Sequence, residues 1–275
     1  MNFKSFSILF LLGCSHTLSA QIDSLQTISL KPVEVSATRI TNSLLETTWS
    51  VSKLDFAQQQ DQMQQLTFSD YVQAVPGLFA LNSNNFSQDL RISIRGFGAR
   101  SAFGIRGIKI LVDGIPETTP DGQGQIDNLA LGSIASVEVI RGPSSLLFGN
   151  ASGGVISIQT NDVVEKNYIK PGLTLGRFGM ENLQIEAGVN RKNTTLIISA
   201  NKIKTNGYRS QSGFESSGIN ARIKHIISSK TDVNLVFNYT DSPVAEDPGG
   251  LDFDSVVENR QQARDRNVDY RTQEA

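Results

Sequence analysis

The chain has 275 residues, a formal net charge of −2 and 39% hydrophobic residues. That length allows one large domain or two ordinary ones, and the charge balance excludes a basic nucleic-acid surface. No apolar run approaches the roughly 18 residues that a membrane-crossing helix needs, which excludes a helical membrane bundle.

Residues 1–20 read as a secretory signal. Lys4 precedes the apolar run Phe6–Leu12, and the small residues Leu18-Ser19-Ala20 place cleavage near Ala20 and Gln21. Leu11-Leu12-Gly13-Cys14 leaves lipidation of Cys14 as an alternative, although a second leucine before Gly13 fits that signal poorly. Cleavage at Ala20 removes Cys14 and His16 and leaves His225 as the one histidine. A disulfide framework, a Cys-rich zinc site and a Cys–His nucleophile are then excluded. Export without disulfides points to a bacterial envelope protein.

Residues 21–40 are polar, lack helical periodicity and read as a flexible leader. One island, Val33-Glu34-Val35-Ser36-Ala37, follows Pro32 and alternates β-branched with polar residues. Two uses stay open for it. It is either an extended peptide that adds to a partner's sheet edge, or the first strand of the domain that follows.

Residues 41–162 read as a compact α+β unit. Thr48–Lys53 is a strand, and Asp55 is positioned to cap a short helix. Thr67 or Ser69 caps a second helix, Asp70–Ala74, which Val75-Pro76-Gly77 stops. Arg91–Arg95 alternates as a strand and ends at Gly96. Ile108–Val112 is an apolar strand closed by the turn dipeptide Asp113-Gly114. Val137–Ile140 and Val155–Ile158 complete the set.

The glycine- and serine-rich link between the last two strands is not a phosphate loop. Leu147 stands five positions after Gly142, no lysine lies in the link, and Gly149, Gly153 and Gly154 lack dinucleotide spacing. A structural role fits better: Pro143 in the first turn of a short helix, Gly149 ending it, and Gly153-Gly154 allowing a bulge. Asp113, Glu117, Asp121 and Asp127 form an acidic cluster expected in a solvated loop, without calcium-loop spacing. No nucleophile–base set and no metal-ligand pattern is visible, so neither an enzyme nor a resident cofactor is expected.

From residue 163 the pattern changes to longer alternating strands. Leu173–Phe178, Asn182–Arg191, Thr195–Lys204, Gly218–Ile227 and Asp232–Thr240 are the five expected. Leu183, Ile185, Ala187 and Val189 form an apolar side against Gln184, Glu186, Gly188 and Asn190. Ile219, Ala221 and Ile223 repeat it, as do Val233, Leu235, Phe237 and Tyr239. An outer-membrane barrel gives this pattern, and so does a soluble sandwich. Strand length and polar partners such as Arg222 and Lys224 favour the barrel. Lys192-Asn193 and Ser229-Lys230 read as tight turns, while Thr205–Ser217 and the tail from Asp241 read as long loops. The short connector 179–181 fits that alternation least well. His225 falls in the apolar register and is expected at an interface rather than on a metal.

Several segments together carry a family resemblance. IRGPSSLLFGNASGGVISIQT resembles the closing motif of the plug domain of TonB-dependent outer-membrane receptors. Val75-Pro76-Gly77, Ile94-Arg95-Gly96 and Leu111–Pro116 resemble other plug motifs, in the same order, and Val33–Ala37 resembles the TonB box. The resemblance implies a plug at 41–162 and the start of an antiparallel transmembrane β-barrel at 163–275, about five strands of an expected 22. It therefore suggests a truncated chain. The plug-motif residues it marks are Arg95, Gly96, Asp113, Gly114, Arg141, Gly142, Pro143, Gly149, Gly153 and Gly154. In the family, arginines at Arg95 and Arg141 pair with barrel glutamates. The implied function is import of a scarce nutrient, above all a ferric siderophore or other iron chelate, energised through TonB across the inner membrane. Outer-membrane lipid is the implied surroundings. Glycan or cobalamin import, and a non-transporting envelope ligand-binding module, are the other readings.

Overall fold

The computed structural model describes residues 33–37, 42–56, 66–81, 85–101, 104–126, 129–267 and 271–274. The signal, most of the leader, the helix expected after Asp55 and the residue Asp127 lie outside these.

The first layer is a five-stranded sheet in the order β3-β10-β11-β7-β8. Its strands are Val51–Asp55 (β3), Ile134–Arg141 (β10), Gly154–Thr160 (β11), Ile108–Val112 (β7) and Ile115–Pro116 (β8). β11 and β7 run parallel, and the other neighbours are antiparallel. Three short pairs flank it: Glu34–Val35 (β1) with Asn42–Ser43 (β2), Leu78–Leu81 (β4) with Arg91–Ile94 (β5), and Ile105–Arg106 (β6) with Gln123–Gly124 (β9).

Alternation along β10 and β11 sends side chains to two different cores. Val137, Val139, Ile156 and Ile158 pack with Ile92, Ile94, Ile108, Ile110, Phe56 and Tyr71. Ile140 and Val155 face the other way, toward Leu111, Phe148, Ala151, Trp49 and Ala37 of the leader. Each aliphatic side chain fully withdrawn from water contributes roughly 1.5–3 kcal/mol, so this sheet anchors the unit.

Two local expectations are corrected. The helix expected at Asp70–Ala74 is a single turn, Ser69–Val72 (α1), whose N-cap is Phe68 with no side-chain cap bond. The Thr67 and Ser69 hydroxyls bond each other instead. Burial of Tyr71 and Val72 holds the turn, and the Tyr71 hydroxyl donates to Leu131 O at 2.8 Å. In the glycine-rich link a one-turn helix, Ser145–Phe148 (α2), does form and ends at Gly149, but Ser144 is its N-cap and Pro143 stands outside it.

The Gly153-Gly154 bulge is also absent. β10 and β11 pair regularly at Arg141↔Gly154, and their irregularity lies at the far end, between Ile134 and Ser136. Glycine is needed at 154 for another reason. Its φ is +141°, and a Cβ there would stand 2.2 Å from Ile140 O.

The second layer is one antiparallel sheet in simple sequence order, β12 to β17. Its strands are Tyr168–Leu175, Glu181–Arg191, Thr194–Thr205, Phe214–Ser228, Thr231–Glu246 and Arg271–Glu274. Its up-and-down order is that of an antiparallel barrel wall, and no closed barrel is present among the described residues. The count rises from the expected five to six. β12 begins before the expected Leu173, because Pro171 and Gly172 read as breakers. Within the described residues β12 has one neighbour, where proline is tolerated. β15 and β16 run into segments expected as loops, 214–217 and 241–246. Cross-strand pairing carries them there, with a register shift between Glu215 and Ser217.

Candidate functional site: the seam between plug and wall

The ladder register divides the wall into two faces. Ile185, Ala200, Ile219 and Tyr239 align across β13–β16 on one face, as do Ala187, Ile198, Ala221 and Phe237. That face is largely solvent-exposed in this chain and apolar, as the lipid side of a barrel requires. Gln184, Asn201, Gly218 and Thr240 align on the other, as do Glu186, Ser199, Asn220 and Asn238. These polar residues face Leu129–Ser133 and Asn161 of the first layer across a cavity of about 110 Å³.

Near one end of this seam Arg222 of β15 binds the first layer. Asp113 closes β7 with a left-handed φ of 51°, which precedes Gly114 in the turn. Its carboxylate accepts from Thr160 N at 2.9 Å and from the Thr160 hydroxyl at 2.7 Å. Arg222 Nη1 stands 3.1 Å from Asp113 Oδ1 and donates to Thr160 Oγ1 at 2.9 Å. Arg222 Nε donates to Asn234 Oδ1, which fixes the guanidinium along the wall. Both charged side chains are largely buried. Lys224 and Asp162 add a looser, more exposed pair at 3.7 Å.

A second tie stands where the loop after β16 meets the first layer. Buried Asp247 accepts from Asn85 Nδ2 at 2.7 Å and from Gln88 Nε2 at 3.0 Å. Phe86 stacks on Phe214 beside it, with ring centroids 4.3 Å apart. Arg209 then binds the connectors together, donating to the carbonyls of Pro248, Gly249 and Gln262.

The expected acidic cluster is not one cluster. Asp113 is buried in the Arg222 contact, whereas Glu117 is exposed and Asp121 bonds the Thr119 hydroxyl. That hydroxyl holds the Asp121 carboxyl below the usual carboxylate range. No three metal-ligating side chains gather among the described residues. His225 stays in its strand, Nδ1 against the Thr194 hydroxyl at 2.8 Å.

Arg95 and Arg141 lie at the opposite end of the five-stranded sheet from Asp113, where β10 gives way to Gly142. Arg95 donates to the Ser50 hydroxyl and Arg141 to Pro76 O. Among the described residues neither meets a carboxylate, and Arg141 Nε is buried without a partner. Gly142 N donates to Gly153 O, and Gly153 N to Gly107 O, which draws the plug-motif glycines together. Gly96 follows Arg95 in the turn that returns Phe97 to Ile94.

Residues 33–37 are docked. Val33 is 51% exposed, but Val35 is 1% and Ala37 6% exposed. β1 pairs with β2, and Leu44 N donates to Val33 O at 2.8 Å. Glu138, in the middle of β10 and 1% exposed, accepts from Ser36 N at 2.9 Å and Ala37 N at 2.7 Å. Its other oxygen is 3.3 Å from Lys53 Nζ, which donates to Glu34 O at 2.7 Å. Sequence reasoning missed Glu138, Arg222 and Asp247. The one available signal for Glu138 was a charge in an otherwise apolar strand, VEVI.

Residues 43–155 match the family model described as the TonB-dependent receptor plug domain. These residues form a plug domain of the TonB-dependent receptor type. A hemin receptor of Yersinia enterocolitica is 36% identical over 110 residues, 39% of this chain and 15% of that protein. A vitamin B12 transporter of Vibrio vulnificus is 30% identical over 129 residues, 46% of this chain and 20% of that protein. The pyoverdine outer membrane receptor of Pseudomonas aeruginosa shares the fold, with a TM-score of 0.61 at 17% identity over 77% of this chain and 30% of that one. The chain thus spans between 15% and 30% of the length of these three proteins. The matched residues span β3 to β10 and the first strand residues of β11, the first layer described above.

Proposed function

We propose that this receptor imports a scarce iron chelate across the outer membrane, with residues 33–37 as the segment that TonB grips. The observation that carries the reading is the polar seam. A plug held to its wall chiefly by hydrogen bonds and one buried ion pair, with the Phe86–Phe214 stack as a local apolar contact, can shift without exposing its hydrophobic core. Residues 41–162 act as the plug, residues 163–275 begin the barrel, and residues 1–20 are removed near Gln21. The relatives named for hemin and pyoverdine favour an iron chelate, while the vitamin B12 transporter keeps cobalamin as the second reading. Arg95 and Arg141, with Arg141 Nε unpartnered among the described residues, suit carboxylates from further barrel strands.

The test is uptake of labelled hemin, ferric siderophore and cobalamin by cells lacking their own receptors. In a chain that carries the whole barrel, Val35→Pro is expected to abolish uptake and leave ligand binding at the cell surface intact, because proline fixes φ at about −65° and breaks the extended run that a partner strand would pair with. Equal loss of binding and uptake would make the segment structural instead. Cobalamin uptake alone would overturn the iron reading.

A further inference from the structure

We propose that the pair of Lys53 with buried Glu138 is a stand-in for a β-strand, occupying the second edge of the leader and competing there with the strand that a partner would add. The proposal rests on the reading of residues 33–37 as the coupling segment. In a strand, successive residues direct their N–H and C=O groups to opposite edges. Val33 O bonds Leu44 N, so Val33 and Val35 face β2. Glu34 and Ser36 then face the other edge. There Glu34 O receives the Lys53 ammonium, and Ser36 N donates to Glu138 Oε2. The pair thus supplies one donor and one acceptor, as a neighbouring strand would. Ala37 N, on the turn that follows, donates to the same oxygen.

The pair is itself built on the sheet. Glu138 and Lys53 are directly opposite each other across β10 and β3, so the plug core fixes their spacing. A carboxylate this buried is tolerated only when its charge is paired and its oxygens are bonded. Here the leader's own amides complete that set. Partner strand and clasp need the same groups of Glu34 and Ser36, so both cannot bind at once. Release of the leader is therefore a condition for strand addition, and Glu138 is a positioning residue that sets how often it occurs.

The experiment uses the receptor in outer-membrane vesicles, with Cys14 replaced by serine and a nitroxide at Val33→Cys. The label's mobility is read beside binding of the purified periplasmic domain of TonB. Glu138→Ala is expected to mobilise the label and tighten TonB binding by on the order of tenfold, since two charge-assisted bonds are lost. Glu138→Gln, which keeps the volume and one acceptor, is expected to fall between. Protease resistance of the plug, beside heat-modifiable migration of the barrel, establishes that each variant is folded. If Glu138→Ala fails to fold, Glu138→Gln carries the test alone. A label that stays immobile in a folded variant overturns the clasp. A mobilised label with unchanged TonB binding upholds the clasp and overturns the coupling role of residues 33–37.

Discussion

Asp113 shows how a single turn residue acquires its role from far along the chain. Its carboxylate binds Thr160 at the end of the adjacent parallel strand, and Arg222 reaches both from the wall. Removing one partner of a buried pair leaves the other charge uncompensated, at a cost of about 3–5 kcal/mol. Arg222→Met is therefore expected to destabilise the plug by an amount of that order, read as a lower denaturant midpoint with the barrel band intact. Lys224→Met, which breaks the exposed Asp162 pair, is expected to cost under about 1 kcal/mol. Asp70 works in the opposite direction. Burial holds its carboxyl above the usual carboxylate range, against the lowering effect of the Thr67 and Leu66 backbone. The folded state then binds the proton more tightly than the unfolded state. Stability from this group is present below the ordinary carboxylate range and is lost as pH rises through the raised value. Asp70→Asn is expected to raise the melting temperature at neutral pH, with the gain vanishing in acid. At this scale the sequence was legible only where the cause was local. The Asp113-Gly114 turn was visible because a dipeptide encodes it, while Arg222, Glu138 and Asp247 depend on partners that meet only in three dimensions.

The strands of the wall were the most legible elements, because a period of two repeats over about ten residues and each residue restates it. β13 and β14 match the expected strands to within a residue at each end. Strand ends were lost where alternation lapsed, as in Phe214–Ser217 and around Pro243. There the backbone ladder, not the side-chain pattern, carries the strand on. The single-turn helices were misplaced for a related reason, since four residues hold too little periodicity to outweigh packing. The two-faced wall predicts a sharp contrast between neighbours. Ile185→Lys places a charge on the apolar face and is expected to cost about 2–4 kcal/mol at mid-membrane depth, with loss of the heat-modifiable folded form. Gln184→Lys, one residue away on the polar face, is expected to leave that form intact.

For the molecule as a whole, the order of strands in the plug sheet differs from their order in the chain. β3 and β7 are made early, yet each must wait for the β10–β11 hairpin before it has a neighbour on its inner side. The hairpin closes a short, partly ordered loop, whereas joining β3 to β10 closes a long one, and closure entropy favours the short one first. The IRGP link inside that hairpin thus sits in the seed of the plug. As the chain folds, the leading half of the plug exists for a time as unpaired edges, the state in which strands stick to the wrong partners. The glycine at 154, which lets the hairpin close without striking Ile140, shortens that exposed interval as well as shaping the finished sheet.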